Sequence, residues 1–238
     1  MSSFNAAPRF DRTVNIHPSL LPLYRGAAPV QRERQDGVKE TGVSLAFTVR
    51  ALDAGPVIDR EKVEVDDKIK APDLLALLFS EGASIYSRSK LLVHKLPSIF
   101  DGSPKVNAEP QDDSKVTLAP KISPEESWLS FDEEAVVLYS MVRAFAGWPG
   151  TRAKVLVVDV KNSDRNTLEL KIITTRVGPD DEIQGNDVND ITSVDDALVF
   201  PREGRTTLEV LEVQLPGKKV TTAAAFWNGL RGQKLKIL

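Results

Sequence analysis

Residues 101–127 divide this chain and so limit what it can fold into. The stretch is rich in Pro, Ser, Asp and Lys and has no apolar period, so it offers no face to a shared core. We read it as a linker between residues 1–100 and residues 128–238. The two sides differ in pattern. Before it, residues 13–17, 41–49 and 57–65 read as strands and residues 27–35 as a short helix. Ala71-Pro72-Asp73 then opens a long helix, with Pro tolerated in its first turn. Leu74, Leu77, Leu78, Ile85, Leu92 and Leu96 supply its apolar stripe. After the linker, Ser130-x-x-Glu133 reads as a capping box opening a helix. Leu138, Val142 and Phe145 line one face of that helix. Gly147-Trp148-Pro149-Gly150 stops it, with Trp148 expected in the core. Residues 154–160, 168–176, 197–201 and 207–213 read as short strands. Strands at this spacing, without a long helix, point to a small antiparallel barrel. The expected class is therefore α/β followed by all-β.

Composition narrows the possible chemistry. Hydrophobic residues make up 41% and charged residues 27%, as in an ordinary globular protein. No apolar run approaches the roughly 18 residues of a membrane-spanning helix. The absence of Cys excludes disulfides and thiolate metal sites, and two His leave little room for a His-based one. The sequence has no secretory apolar core, and the ten residues Met1 to Phe10 are too short to read as a transit peptide. The net charge of −3 conceals a gradient: residues 1–103 carry +1, residues 104–200 carry −8 and residues 201–238 carry +4. A polyanion would prefer the last segment, with Arg202, Arg205, Lys218, Lys219, Arg231, Lys234 and Lys236. Lysines guarding a solvated barrel edge would look the same.

The candidate chemistry lies near the start, in Asn15-Ile16-His17-Pro18-Ser19-Leu20-Leu21-Pro22. Side chains alternate faces along a strand, so Asn15 and His17 point to one side. Pro18 ends the ladder because it has no N–H to donate. Asp53 follows in Leu52-Asp53-Ala54-Gly55-Pro56, a turn by composition. Together these residues offer an amide donor for an oxyanion, an imidazole to carry a proton and a carboxylate to orient the imidazole. Each alone has an ordinary structural explanation: a capping His, a turn Asn, a loop Asp. Ser19 has no His-Asp pair arranged for nucleophilic attack, and reads as a loop hydrogen bonder. Arg25 reads as an exposed loop residue or an anion clamp. His94 reads as structural.

The same motifs carry a family resemblance. Asn15 to Pro22, Tyr24-Arg25-Gly26-Ala27-Ala28-Pro29, Thr41-Gly42-Val43 and Leu52 to Pro56 resemble, in order, the signature of 10-formyltetrahydrofolate-dependent formyltransferases. Ala119-Pro120-Lys121-Ile122-Ser123-Pro124-Glu125-Glu126, Val142 to Gly150, Gly217-Lys218-Lys219 and Asn228-Gly229-Leu230-Arg231-Gly232 resemble the methionyl-tRNA formyltransferases within that family. The resemblance implies a partial Rossmann-like formyltransferase domain followed by an OB-like β-barrel. It implies formyl transfer from 10-formyltetrahydrofolate to the amino group of initiator methionyl-tRNA. It assigns catalysis to Asn15, His17 and Asp53, and folate contacts to Ser19, Leu20, Leu21 and Pro22. tRNA contacts fall to Arg202, Lys218, Lys219, Arg231 and Lys234. The implied protein is a monomer with no metal and no membrane association, in a bacterial cytoplasm or in a mitochondrion. Family chains have a long segment before the Asn-x-His motif, where this chain has 14 residues. The expectation is therefore that the N-terminal half of the catalytic domain is missing and that activity is impaired. Two other readings stay open: a non-catalytic tRNA-binding fragment, and a formyltransferase acting on a sugar amine or glycinamide. Folate binding separates the first from the enzyme.

Overall fold

In the computed structural model, residues 13–83, 95, 97, 99, 107–159, 164–178, 189–200 and 206–238 are described. The chain forms two compact units. Residues up to Glu33 with Val38–Lys121 make the first, and Arg34–Gly37 with Ile122–Leu238 make the second.

The first unit contains β1 (Val14–His17), β2 (Arg25–Gly26), α1 (Pro29–Gln35) up to Glu33, β3 (Glu40–Phe47), β4 (Val57–Glu64), α2 (Ala71–Ala83) and β5 (Leu118–Ala119). Its main sheet has the order β1-β3-β4 and is antiparallel throughout. A Rossmann-like region implies parallel strands, and among the described residues this sheet has none. The loop over residues 48–56 turns the chain back, so β3 and β4 run in opposite directions. That loop closes tightly: a Cβ at Gly55 would collide with the backbone carbonyl of Phe47. Val30, Val43, Val65, Ala71, Leu74 and Leu78 form the core beneath α2. Leu74 and Leu78 are fully buried, four residues apart on one helix face. Leu77, expected in the stripe, is exposed. Ile85, Leu92, His94 and Leu96 lie outside the described residues.

Residues 107–121 differ from a free linker. Leu118 and Ala119 pair in parallel with Arg25 and Gly26. Glu109 forms an antiparallel bridge with Val57, with hydrogen bonds of 2.8 and 2.9 Å. A stretch without apolar period is held here through its backbone polar groups, which hydropathy does not report.

The second unit contains α3 (Ala135–Ala144), β6 (Thr151–Val158), β7 (Arg165–Val177), β8 (Asp190–Val194), β9 (Ala197–Phe200), β10 (Leu208–Gln214), β11 (Val220–Thr222), α4 (Ala223–Gly229) and β12 (Lys234–Ile237). The strand order is β11-β10-β7-β6-β12-β8-β9, and β10 also pairs with β9. The pairings from β10 through β7, β6, β12, β8 and β9 thus return to β10. One edge of β10 is shared: Leu208–Val210 face β9, and Glu212–Gln214 face β11. Leu138, Val142 and Phe145 are all buried, as their helical spacing requires. Leu138 and Val142 share a core with Val155, Leu170, Leu198, Phe200, Val210 and Leu235.

Two local expectations are corrected. The residue capping α3 is Glu134, without a side-chain cap bond, while Ser130 closes a turn by accepting the Glu133 N–H at its carbonyl. The same Ser-x-x-Glu pattern operates earlier, where the Glu126 carboxylate accepts the Ser123 N–H at 2.7 Å over the 3-10 turn Pro124–Ser127. Trp148 is 55% exposed and not in the core. It lies in the tight reversal after α3, where Gly150 N–H bonds the Phe145 carbonyl, and Phe145 is the residue that enters the core.

Candidate active site

The alternation of β1 sets Asn15 opposite Ala46 and His17 opposite Ser44, on one face of the sheet. His17 stands at the strand's end and is buried, 4% exposed. Its Nε2 is 3.0 Å from the Tyr24 carbonyl oxygen. A carbonyl only accepts, so Nε2 carries the hydrogen. Nδ1 is then the nitrogen that gains or releases a proton. It faces Asp53, with Oδ2 at 3.8 Å.

Asp53 comes from the loop between β3 and β4. Its φ is +46°, a conformation that Asp tolerates better than most residues. One carboxylate oxygen, Oδ2, accepts the Gly26 N–H at 3.0 Å, and Oδ1 accepts from Asn15 Nδ2 at 3.5 Å. Gly26 has φ +138°, and a Cβ there would strike the Ala119 carbonyl. The structure thus brings Asn15, His17 and Asp53 together around one carboxylate. This arrangement offers an amide donor, a proton acceptor at Nδ1 and a negative charge facing the imidazolium.

The Pro18–Pro22 loop is fastened from within. Ser19 Oγ donates to the Leu23 carbonyl at 2.7 Å. Ser44 Oγ donates to the Ser19 carbonyl at 2.7 Å and accepts the Leu21 N–H at 2.9 Å. Arg60 Nε donates to the Leu21 carbonyl at 3.0 Å. Ser19 and Leu21 are buried, while Leu20 and Pro22 are half-buried. Arg25 is not the exposed loop residue it resembled: it is 8% exposed, donates from Nε to Gln111 Oε1 at 2.9 Å and pairs with Asp113 at 3.2 Å. Composition gave no sign of Gln111, the Gly26 N–H or the Tyr24 carbonyl. Two are backbone groups common to every residue type, and Gln111 sits in a stretch without pattern.

The candidate basic residues of the second unit fall in separate elements and turns. Lys218 and Lys219 are exposed in the turn between β10 and β11. Arg231 is exposed at φ +51° between α4 and β12. Lys234 is exposed on β12, where it pairs with Asp190 at 3.5 Å, and Lys236 reaches the same carboxylate at 3.1 Å. Arg202 lies outside the described residues. Among the described residues there is no group of three or more His, Cys, Asp or Glu placed to hold a metal. None of their helices is long and apolar enough to cross a membrane.

An amide, an imidazole and a carboxylate meet at this strand end, groups that acyl transfer can use. Comparisons with known proteins show the family. Residues 4–89 match the formyl transferase family, and residues 121–231 match the formyl transferase C-terminal domain. The methionyl-tRNA formyltransferase of Methylococcus capsulatus is 34% identical over 96% of this chain and 68% of its own. Those of Syntrophomonas wolfei and Lactobacillus acidophilus are 32% and 36% identical over 91% of this chain. The chain therefore belongs to the methionyl-tRNA formyltransferase family. It spans 63% of the Syntrophomonas wolfei enzyme and 62% of the Lactobacillus acidophilus enzyme. Two solved structures share its fold. The N-formyltransferase from Helicobacter canadensis, in complex with folinic acid and dTDP-3-aminofucose, has a TM-score of 0.61 at 16% identity, over 84% of this chain and 66% of its own. The sugar 3N-formyl transferase WlaRD has a TM-score of 0.60 at 18% identity, over 88% and 67%.

Proposed function

We propose that this chain carries the catalytic residues for formyl transfer from 10-formyltetrahydrofolate to the amino group of initiator methionyl-tRNA. The observation that carries the reading is the meeting of Asn15, His17 and Asp53 in the first unit. Formyl transfer to an amine passes through a tetrahedral carbon bearing a negative oxygen. Asn15, exposed at the edge of the cluster, has an amide to donate to that oxygen. His17 takes the amine proton at Nδ1, since Nε2–H is held by the Tyr24 carbonyl. Asp53 faces Nδ1 and stabilises the imidazolium that results. When bound, the folate would supply the formyl carbon. The bond from that carbon to the folate nitrogen breaks as the amide to the amine forms. The departing nitrogen takes the proton that His17 accepted, which leaves tetrahydrofolate and a neutral imidazole. Of Ser19, Leu20, Leu21 and Pro22, Leu20 and Pro22 are half-buried and the other two buried, so Leu20 and Pro22 are the better placed of the four to meet the folate.

The first unit belongs, in this reading, to a Rossmann-like formyltransferase domain. The second is an OB-like barrel, a reading supported by its closed circuit of antiparallel strands. Exposed Lys218, Lys219 and Arg231 are its proposed tRNA contacts, with Arg202 and Lys234 as further members. Among the described residues β1 pairs on one edge only.

The test is twofold. Calorimetric titration with 5-formyltetrahydrofolate, a stable isomer of the donor, measures binding at the folate site, and a charged-tRNA formylation assay measures transfer, each beside His17→Ala. Formylated methionyl-tRNA that disappears in the variant supports the reading. Donor binding with transfer to a sugar amine and none to tRNA would overturn the substrate. No donor binding, with tRNA still bound, would favour a non-catalytic tRNA-binding chain.

A further inference from the structure

We infer that Gln111 is a positioning residue, which sets the Asp53 carboxylate against His17. The inference rests on the role proposed above for Asp53. Gln111 Nε2 has two hydrogens and both have acceptors: the Asp53 carbonyl at 2.8 Å and the Gly55 carbonyl at 2.7 Å. Its Oε1 accepts from Arg25 Nε at 2.9 Å. The carboxamide thus clamps the loop that carries Asp53 on one side and the segment that carries Tyr24 and Gly26 on the other. Those two segments hold the site's remaining partners. Tyr24 accepts from His17, and Gly26 donates to Asp53.

The clamp is itself anchored. Two residues earlier, Glu109 is bonded through its backbone to Val57, the first residue of β4. Two residues later, Asp113 pairs with Arg25. Further on, the Thr117 carbonyl accepts the Arg25 N–H at 2.9 Å, and Thr117 Oγ1 accepts the Tyr24 N–H at 2.8 Å. Residues 109–119 therefore run along the site and bond to both of its loops.

The chemistry asks for glutamine. Two carbonyls two residues apart need two donors from one nitrogen, and a buried guanidinium needs an acceptor beside it. Glutamate keeps the acceptor and loses both donors. Lysine and arginine donate but accept nothing. Asparagine is one methylene shorter. With Asp53 at a positive φ, its loop has a strained residue that neighbours must hold. The carboxylate's own bonds, one of 3.0 Å and one of 3.5 Å, leave much of that task to Gln111.

The test uses the ¹⁵N-labelled 238-residue chain with Gln111→Glu, which preserves shape and the Arg25 acceptor, and Gln111→Ala. Amide hydrogen exchange reads the Gly26 N–H, whose acceptor is the Asp53 carboxylate. We expect Gly26 to exchange at least about tenfold faster in both variants, with the β3 ladder amides unchanged. Where formyl transfer is measured, kcat should fall on the order of 10- to 100-fold, with KM within about twofold. Unchanged Gly26 protection in Gln111→Glu would overturn the inference. So would faster exchange spread equally over β3, because that marks a general loss of stability. If the unsubstituted chain transfers no formyl group, the proposed function falls, and the Gly26 exchange still decides whether Gln111 positions Asp53.

Discussion

Each member of the cluster has a separable task. Asn15→Ala removes the proposed oxyanion donor and should lower the formylation rate by about 10²–10³ with little change in stability, since Asn15 is exposed. Steady-state kinetics beside a thermal melt would check both halves of that statement. Gly26 has a different duty. It combines φ +138° with a Cβ position blocked by the Ala119 carbonyl. Gly26→Ala should therefore destabilise the first unit by about 1–3 kcal/mol and loosen the pairing of β2 with β5. Urea denaturation followed in that unit would show it. A midpoint equal to that of the unsubstituted chain would mean the turn relaxes freely.

At the scale of elements, packing and capping act through single positions. Leu138 is fully buried where α3 meets the strand circuit. Leu138→Ala should cost about 2–5 kcal/mol, read as a shift of the denaturation midpoint. The 3-10 turn Asp113–Lys115 depends on charge. The Asp112 side chain accepts the Ser114 hydroxyl at 2.6 Å and the Ser114 N–H at 3.1 Å, and these bonds hold its carboxyl below the usual carboxylate range. A depressed carboxyl contributes stability above the unfolded value of 3.8, and that contribution is lost as pH falls through the folded value. The Ser114 amide resonance should thus move toward its unfolded position only below pH 3.8. A shift already complete above pH 5 would contradict the cap.

Over the whole chain the charge is unevenly spread, with +4 in residues 201–238 following −8 in residues 104–200. Lys218 and Lys219 are exposed, whereas Lys234 already faces Asp190. The proposed tRNA binding should therefore weaken more in Lys218→Glu/Lys219→Glu than in Lys234→Glu. Each lost phosphate contact should reduce the slope of log affinity against log salt by roughly 0.9. A filter-binding series from low to moderate salt measures this. Parallel lines for the unsubstituted chain and the double variant would remove these two lysines from the interface.

Strong periodicity and strong punctuation were legible from residues alone. Alternation put Asn15 and His17 on one face of a strand that Pro18 ends. Spacing made Leu138, Val142 and Phe145 a buried face. Gly55 and Pro56 marked the turn beside Asp53. These signals are local, because backbone geometry fixes where neighbouring side chains point. β8, β11, β12 and α4 were not legible. They have three to seven residues each, and a strand that short exists only through the partners it bonds. The role of residues 107–121 was also hidden. Their contacts run through carbonyls, N–H groups and one carboxamide, so no hydrophobic pattern records them. Only the tertiary structure brought Gln111 to Asp53 across 58 residues of chain. It also directed the Tyr24 carbonyl to His17 Nε2, and so left Nδ1 to face the carboxylate. The sequence determined which chemical groups stand at the candidate site. The pairing of distant backbone determined which atom of each is turned toward the others, because a hydrogen bond depends on position in space and not on residue type.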